Sequence, residues 1–157
     1  MPKIKFEGIA SETDEAEVKD GYADLKWDNV WAIDEVRFPE SEGLDNALRS
    51  GSAVAYNELG KTASFWSTEE DFDLLDGSFT ALWNTGLKVK VFAYDDGEKV
   101  GVERFDLEQE RSLIRFGEKF ESIDKVRIIS KGGSDVDPND GGEGTHFALD
   151  DLHFHWL

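Results

Sequence analysis

The sequence predicts an all-β protein, an antiparallel sandwich formed by a single domain over residues 1–157. Three observations carry this. Apolar residues recur at alternate positions in short segments, the period of a half-buried strand, and almost nowhere at the spacing of a helical stripe. Those segments are bounded by Gly, Asp and Asn, which accept turn conformations, and roughly nine or ten short strands joined this way form a sandwich. With 157 residues, 39% of them hydrophobic and 12% aromatic, the chain can bury one core of ordinary size.

In chain order, "KIKFE" (3–7) puts Ile4 and Phe6 on one face, and "LKWDNVWAI" (25–33) puts Leu25, Trp27, Trp31 and Ile33 on one parity. "SAVAYN" (52–57), "ASFW" (63–66) and "DGSFTALWN" (76–84) follow as strands. "GLKVKVFAY" (86–94) and "EKVGVERF" (98–105) read as a hairpin, because the Asp95-Asp96-Gly97 turn between them tolerates the positive φ of a tight connection. "KVRIIS" (125–130) and "THFALDDLHFHWL" (145–157) complete the set, while Ser11 to Asp20 and Glu40 to Arg49 are polar and read as loops or short helical turns. In the last strand Phe147 and Leu149 are odd, but Leu152, Phe154 and Trp156 are even. One apolar face survives that switch only if the strand bulges at Asp150–Asp151.

The net charge of −18, from 35 acidic and 17 basic residues, argues against nucleic acid and anionic membranes as partners, since both are bound by neutralising phosphates. No apolar run approaches the roughly 20 residues that cross a bilayer, so no membrane insertion is expected, and "MPKIKFEGIA" lacks the apolar stretch of a signal peptide. The absence of cysteine excludes disulfides. Oligomeric state is not legible.

"DGYADLKWDNVWAID", "LRSGSAVAYNELGKTASF", "FDLLDGSFTALWNTGLKVKVFAYDDGEKVG", "SIDKVRIISKGG" and "GTHFALDDLHF" together resemble exported bacterial proteins that carry a PEP-CTERM sorting tail, and their relatives without the tail. This resemblance spans Gly21 to Phe154. It implies an extracellular or cell-surface setting, although neither export signal nor sorting tail is in the sequence. It also implies a jelly roll similar to carbohydrate-binding modules, and hence a glycan or exopolysaccharide as ligand.

Such modules commonly hold a structural calcium ion where the first and last strands meet, using an acid from an N-terminal "FE" and one from a C-terminal "DD". The resemblance therefore implies Glu7, Asp150 and Asp151 as calcium ligands; two carboxylates plus loop carbonyls suffice for such a site. Asp135, Asp137 and Asn139 alternate like a calcium loop, but Asp140 and His146 stand where that loop needs Gly and Glu, so this segment reads as a hydrated acidic loop. Asp151, His153 and His155 share a parity and read as a solvent-facing polar stripe.

Trp27, Trp31, Trp83 and Trp156 follow core parities. Phe92 and Tyr94 do not: with Leu87, Val89, Val91 and Ala93 inside, they face outward beside Lys88 and Lys90, and Trp66 joins them by its parity opposite Phe65. Exposed rings among polar groups suit a sugar, whose C–H faces stack while its hydroxyls need hydrogen-bond partners. Trp66, Phe92 and Tyr94 are therefore the expected ligand-binding residues. The sequence offers no nucleophile elbow, phosphate-binding glycine loop or zinc-protease motif, so a non-catalytic binding module is the leading expectation. The alternatives are a calcium-dependent cyclase or isomerase on the same sandwich, or a structural or adhesive surface protein.

Overall fold

The computed structural model describes residues 3–7, 9, 15–34, 42–48, 53–135 and 144–157. Its strands are β1 (Lys3–Ile4), β2 (Glu15–Glu17), β3 (Lys26–Asp28), β4 (Trp31–Asp34), β5 (Ala53–Tyr56), β6 (Ala63–Trp66), β7 (Phe72–Ala81), β8 (Asn84–Thr85), β9 (Leu87–Asp95), β10 (Glu98–Leu107), β11 (Ser112–Arg115), β12 (Lys125–Lys131), β13 (Ser134–Asp135) and β14 (Phe147–Trp156). A short helix, α1 (Glu42–Ala47), lies between β4 and β5. One sheet runs β11-β7-β14-β5-β4-β2 with β1 against β14, the second runs β10-β9-β12-β6-β3, and β8 and β13 form a small ladder. All the pairings are antiparallel. The chain is thus a single-domain all-β sandwich of the jelly-roll class.

Alternation explains the packing. Leu87, Val89, Val91 and Ala93 of β9 and Val126 and Ile128 of β12 are buried against Phe72, Phe79 and Phe147 of the facing sheet. Phe79 is central, with ring centroids of Phe105 at 5.1 Å and Phe147 at 6.0 Å. Fully burying each such ring contributes about 1.5–3 kcal/mol. Asn57, with no exposure, ties the layers together: it donates to the Ser130 hydroxyl at 3.0 Å and accepts from the Phe147 N–H at 2.8 Å.

The outer face of the seven-stranded sheet carries a second apolar cluster, in which Leu44 and Ala47 of α1 meet Ile33, Val54, Tyr56 and Trp83. Gly43 lets the helix approach this closely, since a Cβ there would stand 2.1 Å from the Ala81 carbonyl oxygen. One face of the sandwich is thereby covered by α1. The outer face of the five-stranded sheet carries half-buried and exposed side chains.

Some segments depart from the sequence reading. Residues 25–33 are two strands in different sheets: at Asn29, with φ 54°, the chain crosses over, and the Asn29 side-chain amide donates to the carbonyls of Glu58, Lys61 and Thr62. Trp27 therefore faces the main core, whereas Trp31 and Ile33 face the α1 layer. β2 forms within the segment read as loop, and β11 pairs with β7 although Leu113 is exposed. The hairpin is as read, with Asp96 at φ 51° and Gly97 at φ 83°. Asp137 and Asn139 of the acidic loop lie outside the described residues.

Candidate functional site

The bulge expected in the last strand is present. Asp150 pairs with Ser78 and His153 with Asp76, so Asp151 and Leu152 stand opposite Gly77 alone, and Asp151 takes φ 49°. β7 compensates at Leu75, which restores the register from Phe154 onward. The two carboxylates are held by cations. Arg111 reaches Asp151 Oδ2 through Nη2 at 2.5 Å and Asp150 Oδ2 through Nη1 at 3.5 Å, and donates from Nη1 to the Ala47 carbonyl at 2.6 Å. Lys5 Nζ meets Asp151 Oδ1 at 2.5 Å, and that bond holds the ammonium above its usual pKa. Arg111 so joins the bulge of β14 to α1, and Lys5 joins it to the chain just after β1.

Glu7 lies close by, its Oε1 accepting from the Ala53 N–H at 3.5 Å. The Tyr22 phenol, pushed up mainly by burial, also senses the Glu7 and Asp150 carboxylates while its oxygen accepts from the Phe6 N–H at 3.2 Å. Glu7, Asp150 and Asp151 thus share one end of the sandwich. Among the described residues, the acids whose oxygens lie within 4.8 Å of one another are instead Asp71, Asp95 and Asp124. Asp95 is held above the usual carboxylate range by desolvation and by Asp71, Asp96 and Asp124.

The histidines divide. His153 and His155 face Asp76 at 3.4 Å and Asp73 at 3.7 Å across the β14–β7 pair. His146 packs instead on Tyr56, with ring centroids 6.0 Å apart, and burial lowers its pKa. The Tyr56 hydroxyl donates to Glu15 Oε2 at 2.6 Å, also contacts Glu58, and is held well above its usual pKa by burial and these two acids.

The expected ligand-binding residues stand on the outer face of the five-stranded sheet. Register places Lys26, Trp66, Lys125, Tyr94 and Lys99 in one row across β3, β6, β12, β9 and β10. Strands about 4.8 Å apart set Trp66 and Tyr94 roughly 10 Å from each other, with Lys125 between. The next row is Asp28, Ser64, Arg127, Phe92 and Val102. Trp66, Phe92 and Tyr94 are half-buried. Lys125 Nζ lies 5.4 Å from the Trp66 ring centroid, and Lys99 Nζ lies 5.0 Å from that of Phe92.

Two concavities meet this face. A cleft of about 680 Å³ contains Trp66, Trp156, Asp20, Lys26 and Glu70, and a groove of about 480 Å³ contains Tyr94, Lys125, Arg127, Asp28, Ser64 and Asp124. Trp66 and Tyr94 open into these spaces, while Phe92 borders Arg127 and lies beneath Lys99. Sequence reasoning missed Lys125 and Arg127, whose signal was the outward alternation of "KVRIISK". It also missed the 71/95/124 acid group, whose members come from separate segments with no common motif.

No protein-family model matches the chain, and no curated protein matches it. Among solved structures, a DUF4465 family protein from Bacteroides caccae superposes with a TM-score of 0.60 at 13% identity, over 91% of this chain and 86% of its own. A family 61 carbohydrate-binding module in complex with β-1,4-galactotriose gives a TM-score of 0.43 at 11% identity, over 85% of this chain and 87% of its own. A family 4 module gives 0.41 at 11%, over 69% and 73%. The first likeness establishes a shared sandwich fold; the other two are too distant to carry an argument.

Proposed function

We propose that the protein is a non-catalytic glycan-binding module whose ligand lies across the outer face of the five-stranded sheet. The observation that carries this reading is the row in which Trp66 and Tyr94 flank Lys125, both rings half-buried and each opening into a concavity lined by polar groups. Aromatic faces at two points offer stacking platforms for sugar rings, and Asp28, Ser64, Arg127 and Asp124 offer donors and acceptors to hydroxyls between them. The sequence resemblance to exported bacterial proteins favours a polysaccharide target. A glycan array probed with calcium-loaded protein tests the reading: retention on a polysaccharide is expected, and no binding to any polysaccharide removes it.

Calcium at Glu7, Asp150 and Asp151 is a separate proposal. Hard carboxylate oxygens suit the ion, but both Asp151 oxygens are engaged by Lys5 and Arg111, so calcium would have to displace the Lys5 ammonium.

A further inference from the structure

We infer that the glycan taken by this face is anionic, a polysaccharide whose sugars carry carboxylate or sulfate groups. The inference rests on the glycan-binding reading above and specifies its ligand class. The chain as a whole is strongly acidic, with 35 Asp and Glu against 17 Lys and Arg. The outer face of the five-stranded sheet reverses that balance. β9 turns Lys88 and Lys90 outward, and β10 adds Lys99 and Arg104. From β12 come Lys125, Arg127 and Lys131, and from β3 Lys26. These eight are nearly half of the 17 basic residues, and the acids sharing the strands' outward positions are Asp28 and Asp106, the latter 3.5 Å from Lys88.

The arrangement has an internal cost. Lys90 and Arg104 are direct cross-strand partners, and like charges so placed repel. Lys125 and Lys99 bring further positive charge to the Trp66 and Phe92 rings, so stacking surface and cationic charge coincide. An anionic ligand relieves this repulsion while its rings stack; a neutral one leaves it in place. The low-dielectric sheet also focuses the field of a one-sign patch and steers oppositely charged ligands towards it.

A single-stranded nucleic acid also combines charge with stacking, but the surroundings favour a sugar. Asp124 of the Tyr94 groove belongs to the acid group with Asp71 and Asp95, and Asp28 lines the same groove. A DNA backbone brings no hydroxyl to these carboxylates, whereas a charged sugar unit still carries hydroxyls that donate to them.

The test is calorimetric titration with polygalacturonate, dextran sulfate, neutral galactan and oligo-dT, each at low and high salt. One of the first two should bind at least about tenfold tighter than galactan or oligo-dT and weaken as salt rises, as displacement of counterions requires; which of them does so identifies carboxylate or sulfate as the recognised group. Arg127→Gln and Lys90→Gln should each weaken that binding about fivefold and flatten its salt dependence, while Arg115→Gln, an exposed residue on β11 of the other sheet, leaves it unchanged. Equal affinity for galactan overturns the anionic inference and leaves the glycan reading standing. Tighter binding of oligo-dT overturns it in favour of nucleic acid, and no binding of any polymer overturns both.

Discussion

Replacing Arg111 by Met removes a guanidinium that contacts both carboxylates of the β14 bulge. Asp150 is 2% exposed, so its charge loses this partner in a region that water scarcely reaches, and Asp151 loses the shorter of that guanidinium's two contacts while keeping Lys5. Breaking a buried pair from one side costs about 3–5 kcal/mol, against at most about 1 kcal/mol for a surface pair. The lost bond to the Ala47 carbonyl also loosens α1 from the sheet. For a domain of this size each kcal/mol moves the melting temperature by about 2–4 °C, so Arg111→Met should melt roughly 6–20 °C below the wild type by circular dichroism. The double variant Arg111→Met/Asp150→Asn should recover at least half of that loss, because residue 150 then carries no charge to be stabilised. A single-variant shift below about 2 °C, or strictly additive effects in the double variant, would refute the reasoning and reduce the cluster to a surface ion pair.

Three further outcomes are expected. Asn57→Ala strands the Phe147 N–H between the layers and takes a donor from the Ser130 hydroxyl, which keeps its bond to the Thr145 carbonyl, and should lower the urea-unfolding free energy by about 1–3 kcal/mol with unchanged m-value. His146 is half-buried and its pKa is lowered by that burial, so the unfolded chain takes up its proton first as pH falls; stability attributable to His146 is full above about pH 6.5 and lost below it, and His146→Phe should remove that component from the difference between melting curves at pH 7 and pH 5. If calcium binds at Glu7, Asp150 and Asp151, a hundredfold excess over Kd adds about 2.7 kcal/mol, EDTA lowers the melting temperature, and Glu7→Gln abolishes the difference; identical melting with calcium and EDTA removes calcium from that end.

The sandwich was legible because strand alternation is written directly in residue order. The parity switch at Asp150–Asp151 likewise revealed the bulge, since no unbroken strand keeps both Leu149 and Leu152 inside. The corner at Asn29 was not legible: crossing between sheets left the parity of Trp27 and Trp31 unchanged, so two strands facing different clusters read as one. β11 was missed because "SLIR" is short and exposes Leu113, and its place at the edge beside β7 is set by tertiary pairing. The aromatic residues of the candidate site were found from alternation, but their basic neighbours depend on cross-strand register, which joins residues as distant as Lys26 and Lys125. Arg111 and Lys5 reach Asp151 from 40 and 146 residues away in sequence, beyond any local pattern.

The central claim is that the outer face of the five-stranded sheet holds a glycan between Trp66 and Tyr94. Affinity electrophoresis through gels containing the polysaccharide best retained on the array tests it most directly, with wild type, Tyr94→Ala, Trp66→Ala and, as a control on the other sheet, Leu113→Ala run side by side. Loss of a stacking ring costs about 1–1.5 kcal/mol or more, so Tyr94→Ala and Trp66→Ala should each bind about tenfold more weakly while Leu113→Ala is retarded like the wild type. Undiminished retardation of both Tyr94→Ala and Trp66→Ala would contradict the claim and place the ligand elsewhere on the sandwich.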